Sequence, residues 1–260
     1  QITKKVVKTA AENWGSGEEV IALLLDRRGA DVQITEEVVK AAAGNWSSGE
    51  EVIALLLDRR GADVQITKEV VKAAAGNWGS GEKVMALLLD RRGVDIQTTE
   101  KVVKAAAENW GSGKENIVTL LLGRRGADVQ ITEKVVKAAA GNWRSGKEVM
   151  TLLLDRREAD VKVTEEVVVL IVGCFDKEVI TLLLNHRGDE LEVTKKALEA
   201  AACNAGGKGT LQFLLEGDPT LRSQKRSSKQ LHATQVAEKQ SSFRRMRTQA
   251  YPFQKTLLHQ

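Results

Sequence analysis

Five tryptophans recur along the chain at a nearly constant interval. They stand at positions 14, 46, 78, 110 and 143, which are 32 residues apart three times and 33 apart once. Paired arginines keep the same interval, and residues 34–65 differ from residues 66–97 at only 6 of 32 positions. A fixed period of 20–50 residues is typical of solenoids, in which each unit packs on its neighbours. The chain is therefore expected to form an array of small units without one central core.

The first half of each unit predicts a short helix. In the second unit Thr35 is an N-cap residue, charged residues and two valines follow, and the helix runs to about Ala43. Gly44-Asn45 is expected to end it.

The second half of each unit predicts a second helix. Ser48 to Glu51 has the pattern of a capping box, which places the helix start there. Arg59 and Arg60 suit the negative end of the helix dipole, and Gly61 is the expected C′ residue. Helices of this length are marginal in isolation. We therefore predict an all-α solenoid of helical hairpins with short or missing β-hairpin fingers.

The repeat and the composition divide the chain into two parts. A seven-unit array is predicted over residues 1–216. Its units start near residues 2, 34, 66, 98, 131, 163 and 193. Residues 217–260 carry nine of the 39 Lys and Arg residues but only two of the 35 acids, so the tail has a net charge of +7 and the array −3. A tail rich in Ser, Gln, Lys and Arg is expected to be mostly disordered.

The sequence of the repeat unit resembles an ankyrin repeat. The resemblance rests on Ala42-Ala43-Gly44-Asn45, on the apolar run from Val52 to Leu57, and on Gly61-Ala62-Asp63-Val64. It covers about residues 1–216 and weakens in units six and seven. The Thr-Pro-Leu-His opening of the ankyrin helix is absent, and Asp63 to Thr67 leads almost directly into the next helix. The resemblance implies a finger-less, ankyrin-like fold.

The array of nearly identical units is also similar to the C-terminal repeat arrays of fungal NACHT-type, NLR-like proteins. In that family such arrays are taken to be ligand-sensing modules beside an NTPase. The chain begins with Gln1, and we expect it to be a fragment or a processed piece of a longer protein.

No residue pattern indicates an enzyme. Three histidines and two cysteines show no metal-ligand spacing, and no nucleophile can be matched to a base, so we expect no catalytic residues, metal or cofactor. The segment from Gly141 to Lys147 has a P-loop-like spacing, but Glu148 stands where Ser or Thr would bind Mg²⁺. We predict a non-enzymatic scaffold for protein–protein interaction, with no small-molecule substrate and no membrane contact.

The tryptophan row is the sharpest candidate for partner binding, since Trp and Arg are enriched in interface hot spots. The candidate residues are Trp14, Trp46, Trp78, Trp110, Trp143 and Arg144. A structural interpretation stays open beside this one: each indole covers the gap between two units, with its N–H bonded to a carbonyl. The paired arginines are expected mainly to complement the helix dipole.

The basic tail supports an alternative function, binding to nucleic acid. Its basic patch consists of Lys225, Arg226, Arg244, Arg245 and Arg247, without a recognisable nucleic-acid module. The same residues are compatible with nuclear targeting. Two cysteines in 260 residues fit a reducing compartment, so we expect an intracellular, cytoplasmic protein, with a nuclear location as the alternative.

Overall fold

The computed structural model describes residues 2–111, 117–175, 177–187, 194–204 and 207–216. The described residues form α-helices and short 3₁₀ turns, without a β-strand, so the predicted all-α class is confirmed. The predicted disordered tail at 217–260 lies outside them. The chain divides into two compact units, residues 1–207 and 208–260, and the described part of the second belongs to the last helix.

The helices come in consecutive pairs. The first helices of the pairs are α1 (Lys4–Ala11), α3 (Glu36–Gly44), α5 (Lys68–Ala75), α7 (Glu100–Ala107), α9 (Glu133–Ala140), α11 (Glu165–Cys174) and α13 (Lys195–Cys203). The second helices are α2 (Gly17–Arg28), α4 (Gly49–Arg60), α6 (Gly81–Arg92), α8 (Ile117–Arg125), α10 (Gly146–Arg157), α12 (Lys177–Arg187) and α14 (Gly207–Glu216). The bounds of α3 and α4 agree with the helices predicted for the second unit.

Two layers of helices form the unit at residues 1–207. Each first helix packs on the next first helix, from α1 to α13, and each second helix packs on the next second helix, from α2 to α12. The core lies between the layers and between successive pairs. In the second pair Val38, Ala42, Val52 and Leu56 are all buried, at the helical spacing that puts them on one face. Alanines in the first helices let neighbouring backbones approach closely.

Threonine begins every first helix, as predicted. Its hydroxyl accepts a hydrogen bond from the backbone N–H three residues later in four of the seven units. The accepting residues are Thr3, Thr67, Thr164 and Thr194, at 3.3–3.5 Å. The other three threonines hold the same extended N-cap backbone without this bond.

The capping box predicted at the second helix is wrong. Ser48 has φ −102° and ψ 21°, not the extended backbone that turns an N-cap side chain onto its own helix, and its hydroxyl makes no cap bond. The hydroxyl instead donates to the carbonyl of Asn13, one unit earlier, at 3.0 Å. This serine therefore joins units rather than capping its helix.

The glycine after the paired arginines is not the predicted left-handed C′ residue in units one to three. Gly61 has φ −53° and ψ −34°, a right-handed conformation, whereas a C′ glycine would be left-handed. Glu158 occupies the same place in the fifth unit, and here the helix runs on into a short 3₁₀ turn. Gly126, which follows the arginine pair of the fourth unit, has φ +46° and is the one described residue in the left-handed region, so the predicted conformation occurs there.

Candidate partner-binding surface

An asparagine anchors the turn that carries each tryptophan. Asn77 is buried, and its side-chain amide donates to the carbonyls of Ala43 and Asn45 in the preceding unit, at 3.0 and 2.9 Å. Its side-chain oxygen accepts from the N–H groups of Gly79 and Ser80, at 3.1 and 3.3 Å. The turn is thus fixed both to itself and to its neighbour.

The same arrangement recurs along the array and forms an asparagine ladder. Its members are Asn45, Asn77, Asn109 and Asn142, each donating to two carbonyls of the unit before it. Asn204 donates to Val172 and Phe175 in the same way, although its unit has no tryptophan. From the sequence, this asparagine is expected only to end the first helix. Its recurrence in a unit that lacks the tryptophan was the signal for a structural role.

The ladder presents the tryptophans at the surface. The five indoles are between 39% and 66% exposed, and they are the largest exposed apolar side chains of the described residues. Trp14 and Trp46 meet edge to face with centroids 5.2 Å apart, and Trp78 and Trp110 stack at 5.5 Å. Trp110 also meets Trp143 at 5.9 Å. The ring contacts therefore form two groups along the row, Trp14 with Trp46, and Trp78 with Trp110 and Trp143.

Among the described residues, the indole N–H groups form no bond that joins the units. Within the described ranges, no tryptophan N–H donates to a backbone carbonyl, which is the bond that the structural interpretation of the row required. The ring contacts do contribute to stability, since aromatic pairs are worth about 0.5–1.5 kcal/mol beyond their burial. Both interpretations of the row thus keep a physical basis, but the polar links between units come from other residues.

Shallow grooves lie beside the row, along the layer of first helices. One groove of about 440 Å³ spans units three to five, and small residues such as Gly76, Ala105 and Ala138 line it with Trp78, Trp110 and Glu108, an acid that is paired with Lys104. A second groove, of about 410 Å³, spans units one to three and has Trp14, Ala41, Gly44 and Ala73 in its wall together with the charged residues Lys8, Glu12, Glu37 and Lys40. Small residues beside exposed rings leave room for side chains of another molecule.

Position 144 varies the chemistry next to the row. The other units have glycine or serine after the tryptophan, whereas Arg144 follows Trp143. Its backbone N–H donates to Asn142, so the turn is unchanged, and its side chain is exposed. The basic patch of the tail, at Lys225, Arg226, Arg244, Arg245 and Arg247, lies outside the described residues.

The paired arginines connect successive units, a role that the dipole interpretation did not include. In three of the five pairs the first arginine bonds an aspartate one unit earlier, as Arg59 does with Asp26 at 2.6 Å. The second bonds the aspartate three residues on and reaches back to carbonyls of the preceding unit. Arg60 does so with Asp63 at 2.6 Å and with the carbonyl of Gly29 at 3.0 Å.

Ion pairs also join neighbouring first helices. Lys134 bonds Glu100 at 2.9 Å and lowers the pKa of that carboxyl, and Lys196 bonds Glu165 at 3.1 Å with the same effect. Lys137 bridges Glu133 of its own helix and Glu166 of the next, which raises the pKa of the lysine. Glu165 is exposed and Glu100 and Lys137 are half-buried, and each of them is paired, an arrangement that indicates structural links.

The described residues offer nothing that resembles a metal centre or a membrane span. They contain no group of three or more His, Cys, Asp or Glu side chains able to hold a metal ion. Cys174 and Cys203 are free and exposed. None of the described helices is long and apolar enough to cross a bilayer.

A family model described as "Domain of unknown function (DUF7104)" matches most of the chain. It matches seven segments, residues 1–20, 23–52, 55–85, 87–115, 120–150, 152–169 and 182–209. The match therefore recurs along the chain, as the helix pairs do. No curated protein and no solved structure shows significant similarity to the chain.

Proposed function

The chain belongs to the family described as a domain of unknown function (DUF7104), and we propose that it is a non-enzymatic scaffold that binds protein partners along its tryptophan row. The carrying observation is the exposure of five indoles, one in each of five successive units, beside grooves lined partly by small residues. Exposed apolar surface of this kind is typical of interaction sites. Indoles add rigid contact area and a free N–H donor, which makes Trp a frequent hot-spot residue.

The contacts that join the units support this proposal, because many of them come from residues other than the tryptophans. The asparagine ladder, the paired arginines and buried valines and leucines join the units, so contacts other than those of the indoles hold the stack together. Repetition gives the row its length, because one tryptophan from each of five units extends the same surface. A partner in extended or helical form could contact several units at once.

Peptide selection tests the proposal directly. The full chain is used to select binders from a random peptide library that lacks tryptophan, and affinities are then measured for Trp46→Ala, Trp78→Ala and Trp110→Ala, each made singly. A hot spot predicts a loss of about 30-fold in at least one variant. Leu57→Ala, on the layer of second helices, is the matched control because it truncates a half-buried side chain away from the row.

Melting curves decide how a loss of affinity is interpreted. We expect the tryptophan variants to keep a cooperative helical unfolding transition while affinity falls. Equal loss in Leu57→Ala, or affinity that falls only as far as the folded fraction does, would show that the row is structural.

We further propose that the hairpins are ankyrin-like and that the array is the ligand-sensing part of a larger fungal NLR-like receptor. The two-layer stacking and the short link between units support the first point, and the near-identity of the units supports the second. An NTPase module on the same natural polypeptide would support the receptor context. A natural polypeptide that consists of repeats alone would contradict it.

The charge of the tail favours a second candidate, binding to nucleic acid through residues 217–260. Nine basic residues against two acidic ones would release counterions from a phosphate backbone. Binding to single-stranded DNA that weakens steeply with salt and disappears when 217–260 is deleted would support this function. Binding that survives the deletion would exclude the tail as its source.

A further inference from the structure

Lysines replace the usual acid–lysine pairs at one junction in the middle of the array. Between α7 and α9 the paired side chains are Glu100 and Lys134, and the same positions between α5 and α7 hold Lys68 and Lys101. Between α9 and α11 the pair is Lys137 with Glu166, and its counterpart here is Lys72 with Lys101. The lysine cluster, defined as Lys68, Lys72 and Lys101, thus gathers three positive charges, whereas the same three positions at each neighbouring junction hold charges of both signs.

The cluster has little compensation from its surroundings. All three lysines are exposed, and none forms an ion pair with another described residue. Glu69 is the one acid on α5, while Glu36 accepts from Thr67 at 2.7 Å and Glu100 is bound to Lys134. Three like charges on adjacent helices repel each other and leave a local site for anions.

The cluster adjoins the larger groove. Lys72 is one helical turn before Gly76, and Lys101 is one turn before Ala105, and both of those small residues line the groove with Trp78 and Trp110. Side chains four residues apart lie on the same face of a helix, about 5–6 Å from each other. A bound segment only a few residues long could therefore contact both the positive charges of the cluster and the exposed tryptophan rings.

We propose that the lysine cluster binds the carboxylates of a short acidic segment of the protein partner and that an apolar side chain of that segment enters the groove. This deepens, and rests on, the proposed binding along the tryptophan row. Charge complementarity selects the acidic segment. An extended nucleic acid fits less well, because the flanking junctions carry Glu36, Glu100 and Glu133, which would repel a long run of phosphates.

The repeats supply variants that should fold. Glutamate occurs naturally at the position of Lys68 in units two, four, five and six, so Lys68→Glu places an acceptable residue there and provides Lys101 with a partner. Lys72→Gln removes one charge of the cluster. Lys134→Gln is the matched control, since it removes an exposed lysine at the position equivalent to Lys101 that is already paired with Glu100.

The probe is a fluorescein-labelled peptide of three consecutive glutamates followed by Gly-Leu, compared with the same peptide containing three glutamines. Binding to the full chain is measured by fluorescence polarisation at low salt, so that any contribution of the tail is the same in every variant. Loss of two or three charge contacts predicts that Lys68→Glu weakens glutamate-peptide binding by roughly 3- to 30-fold. We expect a smaller loss in Lys72→Gln, none in Lys134→Gln, and no dependence on these variants for the glutamine peptide.

Several results would overturn the proposal. An equal loss in Lys134→Gln would mean diffuse electrostatic attraction, and equal affinity in all variants would place binding elsewhere in the chain. Oligothymidine that displaces the peptide and shows the same dependence on Lys68 would indicate a nucleic-acid site instead. If Trp78→Ala weakens selected binders while Lys68→Glu has no effect, the tryptophan row keeps its function and the cluster has none. If Lys68→Glu weakens binding while Trp78→Ala has no effect, the cluster binds the partner and the tryptophan row does not.

Discussion

Replacing Asn77 by alanine should destabilise the array strongly, because this side chain links its own turn to the preceding unit. The asparagine side chain makes three donor contacts, to Ala43, Asn45 and the hydroxyl of Ser80, and accepts two backbone N–H bonds. Truncation removes all five at a site that is 7% exposed. Water therefore cannot replace the lost partners freely.

The size of the stability loss in Asn77→Ala follows from the polar groups that are left without a hydrogen-bond partner. The Asn45 carbonyl keeps the Ser80 hydroxyl at 2.6 Å, and the N–H of exposed Gly79 can turn to water. Two buried groups remain, the Ala43 carbonyl and the Ser80 N–H. At about 1–3 kcal/mol for each unsatisfied buried group, Asn77→Ala should cost about 2–6 kcal/mol. Small folded proteins are stable by only about 5–15 kcal/mol, so the effect is large.

Denaturant unfolding of the full chain, followed by circular dichroism, measures this loss. Asn13→Ala is the matched control. Its side chain makes the same bonds to its own turn, at Gly15 and Ser16, but it is exposed and donates to no earlier unit. We expect Asn13→Ala to lower the free energy of unfolding by less than about 1 kcal/mol, because water can bond the backbone N–H groups of Gly15 and Ser16 that lose their partner. Similar losses for both variants would refute the idea that the ladder acts between units.

Two other substitutions and one titration follow from the packing and the charges. Gly146→Ala should cost about 1–3 kcal/mol in denaturant unfolding, because the added carbon would lie 2.2 Å from the Ala139 carbonyl oxygen and 2.7 Å from the Phe175 ring. Gly44→Ala, whose added carbon meets nothing within 4 Å, should be neutral or slightly stabilising, and a comparable loss there would contradict the packing argument. Lysine hydrogen bonds lower the pKa of several glutamates in the folded protein below the pKa that these groups have in the unfolded chain. The ionised glutamates therefore stabilise the fold at a pH above the unfolded pKa. This stabilisation is lost as the pH falls through the folded pKa. These glutamates are Glu100, Glu133 and Glu165. The melting temperature should fall as the pH drops below about 4, less steeply in high salt, and a rise in that range would contradict the assignment.

The repeat period made most of the architecture predictable from the sequence. Thr35 and the charged residues after it mark the start of a helix, and the valines and alanines that follow have helical spacing, so α3 could be placed within a residue. The same signals recur in the other units. Local patterns suffice here because each helix is short and packs mainly on its neighbours in the chain.

The links between units could not be predicted in the same way. Asn77 has the sequence signature of a turn residue, and the carbonyls of Ala43 and Asn45 that it binds are 34 and 32 residues away. Those carbonyls come within reach only after two units have stacked. Ser48 was assigned to the wrong partner for the same reason, since its bond to Asn13 exists only between units. The exposure of the tryptophans likewise depends on how the stacked turns project.

Acrylamide quenching of tryptophan fluorescence, with and without a bound peptide, tests the role of the row most directly. All five tryptophans of the chain belong to it, so the whole signal reports on this surface. With a selected peptide that lacks tryptophan, we predict strong quenching of the free protein and clear protection of the same fluorescence at saturation. Strong protection in the free protein would show that the indoles fill gaps between units, and quenching that is unchanged by the bound peptide would show that partners bind elsewhere.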